Sequence, residues 1–277
     1  MRPPHAARYA ARCLAALVVF SAALPAQITV TADLASNSAY MWRGTTMTNR
    51  FVLQPDVIAT FGTHGWIFLA AANANIEPAR YGNALDISER GGTAAGVAEV
   101  DVWAEATHAL GPALLTLGAL SYTFPGPAGM TSAQNTFEWY ARAAFDAPLA
   151  PTLQVWLDTW RVNGTYAELS IAQDVHLLAL PIHFSALQGY SVSQTYSAAE
   201  AQGYFARGGF THTDIGAAST FPMGPVTATP SVHLIIAADP KTRAVSPVRE
   251  VGTKVWFGVS FGWSHQFGAT NKIAAAP

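Results

Sequence analysis

The chain has 277 residues, 51% apolar and only 12% charged, with a formal net charge of −2. That length allows one large β domain or two ordinary ones. Past Val30 no stretch is long and apolar enough to cross a bilayer as a helix, so the hydrophobicity belongs either to a large buried core or to a barrel that faces lipid.

Residues 1–26 are set apart from the fold. Arg2, Arg8 and Arg12 precede an apolar run from Leu14 to Leu24, and small residues follow. This is the layout of a secretory signal peptide, with cleavage after Ala23 or after Ala26. Cys13 is the only cysteine, so its removal leaves no thiol or disulfide chemistry. The 15 basic residues also fall by those three arginines to 12 against 17 acidic ones, a formal charge of −5. A net negative chain is not built for nucleic acid.

The barrel region is expected over 27–267, followed by a short tail, 268–277. The first strand alternates Ile28, Val30, Ala32 and Leu34 with Thr29, Thr31 and Asp33. Alternation of this kind places side chains on opposite faces of a strand. After a loop from Ser36 to Arg50, the second strand runs Phe51, Leu53, Pro55, Val57, Ala59 and Phe61 along one face, although Pro55 is unusual inside a sheet. Thr63-His64-Gly65 turns the chain into a third strand, Trp66 to Ile76. The polar segment Glu77–Gly96 leads to a fourth, with Glu99, Asp101, Trp103 and Glu105 sharing a face. Gly111-Pro112 introduces a fifth strand, Ala113–Phe124, whose pattern assigns no face. The loop Pro125–Asn135 precedes a sixth, with Glu138, Tyr140 and Arg142 opposite Phe137, Trp139 and Phe145.

Asp146–Pro151 turns into a seventh strand, in which Trp156, Asp158 and Trp160 share the polar face. Asn163-Gly164 reads as a tight hairpin turn. The eighth strand carries Glu168, Asp174 and His176; a turn at Ala179–Pro181 leads to a ninth, Ile182–Tyr190. A long loop to Gly208 and an irregular tenth strand, Gly209–Phe221, follow, and the ninth and tenth also lack assignable faces. Pro222–Pro225 turns into the eleventh strand, Val226 to Ile236. The twelfth, Lys254 to Phe267, alternates the apolar and aromatic row Val255, Phe257, Val259, Phe261, Trp263, His265 and Phe267 with a small polar row.

Twelve strands is an even number, and the connections alternate long and short except at Asn163-Gly164. Aromatics sort to the strand ends on the apolar face: Phe61, Trp66, Phe145, Trp263 and Phe267 at one end, Phe51, Phe137, Trp139 and Phe257 at the other. Loop alternation and two aromatic bands are features of outer-membrane barrels, and a soluble sandwich or propeller has no reason for either. The expected fold is therefore all-β, a closed antiparallel up-and-down transmembrane β-barrel of about 12 strands in the bacterial outer membrane. Its last strand pairs with Ile28–Leu34, and Phe267 is the aromatic end expected to meet the barrel-assembly machinery.

The polar faces define the expected lumen: Asp33, Asp56, Glu99, Asp101, Glu105, Glu138, Asp158, Glu168, Asp174 and Asp214, with Arg142 and Lys254. An excess of carboxylates in a narrow interior favours cations. Trp103, Tyr140, Trp156, Trp160 and Trp256 also face inward, either to stack on a solute or to fill the barrel. Arg43, Arg50, Arg80, Arg90, Arg207, Lys241, Arg243 and Arg249 fall in the long loops. They either form a basic rim for lipopolysaccharide phosphates or an anionic solute, or pair with nearby carboxylates.

For catalysis, His212 and Asp214 share a face, as a base and its orienter would, but no serine is placed as their nucleophile. No spacing resembles a zinc or calcium site, no phosphate-binding glycine loop occurs, and no cofactor is expected. The functions in view are a passive channel for small hydrophilic solutes, a closed scaffold or binding barrel, and, last, a lipid-modifying enzyme.

The first loop, Ser38-Ala39-Tyr40-Met41-Trp42-Arg43-Gly44, followed by Gln54-Pro55, resembles the Ser-x-Tyr-x-x-Arg-Gly opening of the TorF-like porins. These are proteobacterial outer-membrane barrels known largely as predicted channels. The resemblance implies a channel and supplies no catalytic residues. Gly268–Pro277 departs from the usual pattern, in which the aromatic is terminal. Tyr40, Trp42 and Arg43 are expected at the pore mouth, as a positioned cation or as an interfacial anchor.

Overall fold

A computed structural model describes residues 27–78, 96–125, 135–177, 180–195, 204–237 and 253–268. The expected signal peptide, its cleavage points, nearly all of the tail, and Arg80, Arg90, Lys241, Arg243 and Arg249 lie outside these residues. In chain order the strands are β1 (Ile28–Asn37), β2 (Tyr40–Trp42), β3 (Thr45–Thr48), β4 (Val52–Thr63), β5 (Trp66–Glu77), β6 (Gly96–Leu110), β7 (Ala113–Thr123) and β8 (Thr136–Phe145). Then come β9 (Thr152–Asp158), β10 (Thr165–Leu177), β11 (Leu180–Ser191), β12 (Gly209–Ala218), β13 (Phe221–Met223), β14 (Val226–Ala237) and β15 (Lys254–Phe267).

Every long strand pairs antiparallel with its neighbours in the chain, and β1 lies between β4 and β15. Ile28 stands opposite Phe267, and Asn37 opposite Gly258. Pairing of β12 with β14 completes the ring. The result is an all-β, closed, up-and-down barrel of twelve long strands, with β13 as a short extension beside β14.

The tight turns follow from their residues. His64 and Gly65 take φ of 49° and 79° between the paired residues Thr63 and Trp66. Two positive φ values define the turn whose twist suits a two-residue hairpin. Gly111-Pro112 and Gly224-Pro225 put a glycine of positive φ first, which the fixed φ of proline then complements. Asn163-Gly164 is different. The connection occupies 159–164, and only Asn163 has positive φ, 47°.

The outside of the ring is apolar. Val57, Val102, Leu117, Trp139, Leu153, Leu169, Phe257 and Phe261 are all exposed on the face opposite the acidic rows. Register also supplies the three faces that patterning left open. Leu115 and Leu117 on β7 point out while Thr116 and Tyr122 point in. On β11, Phe184 and Tyr190 point out, with Gly189 and Ser191 buried inside.

On β12 the alternation breaks at a bulge. Gln188 pairs with Thr213 and Tyr190 with Phe210, so Thr211 and His212 together oppose the single residue Gly189. Both are buried inside, with Thr211 Oγ1 3.0 Å from His212 Nδ1. This extra residue is the physical source of the irregularity in the tenth sequence strand.

An arginine placed on the lipid face separates the outer surface from the lumen. Leu117→Arg, at a side chain 69% exposed near the middle of β7, is expected to cost about 2–4 kcal/mol in a bilayer. Ser170→Arg, on the inner face of β10, is expected to cost much less. Denaturant titration of the refolded barrel in phospholipid checks this, and equal losses at the two positions would contradict the assigned faces.

Candidate functional site

Between β1 and β4 the chain makes a second hairpin, β2–β3, closed by Arg43 (φ 47°) and Gly44 (φ 77°). This is the same two-residue turn seen at His64-Gly65, flanked by the aromatic and β-branched residues that favour strands. Thr45, Thr46, Met47 and Thr48 are at most 4% exposed. Their surroundings come from around the ring. Thr48 donates to Glu77 on β5 (2.8 Å), and Met47 packs with Ala98 on β6 and Tyr122 on β7. Arg43 reaches Glu138 on β8, and its guanidinium lies over Trp156 on β9 and Tyr166 on β10. Gly44 abuts His212 on β12, and Asn49 accepts a hydrogen bond from Lys254 on β15. A short hairpin touching eight strands of a closed ring lies inside it.

The tip is fixed by one buried ion pair. Arg43 donates to both oxygens of Glu138, at 2.8 and 2.6 Å. Glu138 also accepts from Gln194 Nε2 (2.8 Å) and from the Tyr122 hydroxyl (3.1 Å), which uses all its lone-pair directions. Gln194 returns its Oε1 to Arg43 at 2.8 Å. The guanidinium stacks over Tyr166 at 4.4 Å and Trp42 at 4.5 Å. Burial disfavours the charge of Arg43, but Glu138 outweighs it, and the arginine holds its proton more tightly than usual. Gly44 is required twice over, by its positive φ and because a Cβ there would lie 2.4 Å from that of His212.

The loop after β11 joins the same seat. Gln194 is fully buried, and its carbonyl accepts from the N–H groups of Tyr204 and Phe205 (3.1 Å each). Phe205 stacks on Tyr166, and Tyr204 meets Trp42 edge-on. The outer half of the barrel is therefore occupied by two inward segments.

The predicted lumen residues sort by depth around this seat. Glu138, Asp158 and Glu99 are at most 2% exposed beside the hairpin, with Asp101 nearby on β6. Glu168 accepts from Tyr166 (3.0 Å). Toward the turn end, Glu105 accepts from Tyr140 (2.7 Å) and pairs with Arg142 (2.8 Å). Trp103 lies on the same inner face of β6, and Asp33 and Asp56 stand opposite each other on β1 and β4. Asp33 also accepts a hydrogen bond from Ser260. Lys254 and Trp256 sit on the inner face of β15, and Trp256 stacks on His233 (4.1 Å). Asp174 is on the inner face too, but its side chain is 81% exposed at the far turn end, where it pairs with His183.

Three expectations are corrected. Tyr40, Trp42 and Arg43 do not stand at an open mouth, because the tight turn at Arg43-Gly44 folds them inside, leaving Arg43 8% exposed. Trp160 does not line the lumen. Strand β9 ends at Asp158, whose Oδ1 caps the N–H groups of Trp160, Arg161 and Val162, and Trp160 is 57% exposed in the resulting turn. His212 and Asp214 do not act as a base and its orienter. His212 bonds Thr211, while Asp214 pairs with His233 across β12–β14 (3.1 Å). Arg43, expected either in a basic rim or paired with a carboxylate, is paired with Glu138. Among the described residues no three His, Cys, Asp or Glu side chains converge as a metal site.

Gln194, Glu77, Tyr166 and the Thr45–Thr48 run were not singled out by sequence. The available signal was the pair of short strand-like runs flanking Arg43-Gly44.

A closed ring with an apolar exterior and a polar interior is the fold of a transmembrane β-barrel. The chain is similar to the solved outer membrane channel from Pseudomonas putida F1, with 12% identity and a TM-score of 0.51 over 88% of this chain and 97% of that one. At that identity the likeness shows the fold alone. LpxR from Salmonella typhimurium is 8% identical with a TM-score of 0.46, over 85% of this chain and 99% of LpxR, too distant to carry an argument. No protein-family model and no curated protein matches the chain.

If the Arg43–Glu138 pair seats the hairpin, Arg43→Ala leaves a buried carboxylate unpaired and eases hairpin opening by about 3–5 kcal/mol. The expected readout is faster hydrogen exchange at the Thr45–Thr48 amides, largely restored in the apolar double variant Arg43→Met/Glu138→Leu. Unchanged exchange in Arg43→Ala would show that the hairpin is held by other contacts.

Proposed function

We propose that this chain is an outer-membrane channel for small hydrophilic solutes whose lumen is narrowed in its outer half by the β2–β3 hairpin. The observation that carries the reading is the hairpin itself, a polar tip seated on a polar wall inside a closed ring. Such a tip sets the width and charge of any path through the barrel. Twelve strands stand between the small barrels that side chains fill and the sixteen-stranded porins with wide aqueous channels. An inserted hairpin suits that intermediate size.

Charge supports a cation-leaning path. Arg43 and Arg142 are each matched by a carboxylate, Glu138 and Glu105. Asp33, Asp56, Glu99 and Asp101 add further carboxylates to the same inner face. Location in the bacterial outer membrane, contact of loop arginines such as Arg50 and Arg207 with lipopolysaccharide, and reading of Phe267 by the barrel-assembly machinery belong to the same proposal. Membership in the TorF-like porins rests on the Ser38–Gly44 run that forms this hairpin. A second reading, a closed scaffold or binding barrel, is favoured by the near-complete burial of Thr45–Thr48.

Planar-bilayer recording separates the two. The refolded wild type is expected to show small, cation-selective conductance, and Arg43→Ala or Gln194→Ala to raise it by loosening the hairpin. Folded barrels without conductance in all three forms would overturn the channel in favour of the closed barrel. Anion selectivity would overturn the charge argument.

A further inference from the structure

The inner face of β5 and β6 carries a polar group that the Arg43–Glu138 seat leaves unused. Asn73 stands directly across from Asp101, and Asn75 directly across from Glu99. Direct cross-strand partners point to the same side with Cβ atoms about 4.5–5.5 Å apart, so these four side chains form a rectangle on the wall. Asp101 is flanked on its other side by Tyr122. From the hairpin, the Tyr40 hydroxyl donates to Glu99 and closes over the group.

Asn75 is 1% exposed, and neither its Oδ1 nor its Nδ2 has a hydrogen-bond partner among the described residues. Asp101 Oδ1 is likewise buried without one. A buried amide is normally satisfied, and an orphaned one beside two carboxylates calls for a ligand. Among the described residues, the basic side chain of the hairpin, Arg43, is spent on Glu138.

We propose that Asn75, Glu99 and Asp101 bind a divalent cation of the Ca²⁺ type between the barrel wall and the hairpin. Every donor is an oxygen, which suits a hard cation and not zinc or copper. Two carboxylates match a double positive charge, and the Asn75 carbonyl supplies a third protein ligand. Ca²⁺ accepts six to eight irregularly placed oxygens, including amide carbonyls and water, whereas Mg²⁺ demands a near-ideal octahedron. With so few protein carboxylates the affinity falls in the range of extracellular calcium modules, about 10⁻⁴–10⁻³ M. Through Tyr40 the bound ion ties β6 to the hairpin. This site stands whether or not the barrel conducts.

The test uses the refolded full chain in detergent after chelator treatment, with Tb³⁺ as the probe. Tyr40, Trp42 and Tyr122 stand close enough to sensitise its luminescence. A saturable signal is expected, displaced by Ca²⁺ at lower concentration than by Mg²⁺. Asp101→Asn is expected to weaken binding by about tenfold or more, as loss of a metal-site group does. Asn75→Asp adds a third carboxylate and is expected to tighten it, an opposite effect that simple destabilisation does not produce. Slower gel migration on heating verifies a folded barrel in each form. Absence of a saturable signal in the wild type overturns the proposal, as do wild-type affinities in both variants.

Discussion

A backbone surrounded by hydrocarbon has no water to satisfy its N–H and C=O groups, so each must find a partner within the protein. In this chain the constraint is met by β1, which pairs along its whole length with β4 on one side and β15 on the other. The register of that closure cannot slide. A shift of one residue would turn Asp33 toward lipid and Leu34 toward the lumen. Closure also creates an interior, and everything else in the molecule depends on what fills it.

What fills the outer half is a hairpin whose tip carries a formal charge. Burying Arg43 is costly, and the cost is offset only because Glu138 is preorganised to receive it with Tyr122 and Gln194 completing the set. Arginine suits the position better than lysine. Its planar fork engages both carboxylate oxygens while its faces stack on Trp42 and Tyr166. The arrangement fixes one orientation of the hairpin, because any rotation would strand Glu138 in a buried setting.

The two halves of the lumen consequently differ. Near the outer end, side chains from the wall, the hairpin and the β11–β12 loop interlock, and carboxylates are buried. Toward the turn end, the Glu105–Tyr140–Arg142 network lies against the wall, with Tyr140 packed over Gly118, where no Cβ intervenes. Aromatic residues therefore serve opposite ends of the problem. Outside they face lipid at the strand ends, and inside Trp42, Trp156 and Tyr166 wall the Arg43 guanidinium.

The sequence by itself determined the twelve long strands, the faces of nine of them and their closure. Lipid on one side and water on the other impose a period of two on every strand, and that signal is local. Val255 to Phe267 show it without any neighbour. It left the faces of β7 and β11 open, and it failed where local rules bend, at the Thr211–His212 bulge of β12 and at Asp158, where the carboxylate ends β9 by capping the turn and turns Trp160 away. Tertiary structure alone decided the direction of the first loop. Arg43, Glu138 and Gln194 lie on separate segments, and the energy that draws the hairpin inward exists only once the ring has brought them together. The same holds for Asn75 and Glu99, and for Asp214, which took His233 on the neighbouring strand over His212 on its own. Alternation in a sequence assigns a face to a residue; which residue it meets across a closed barrel is set by strand register.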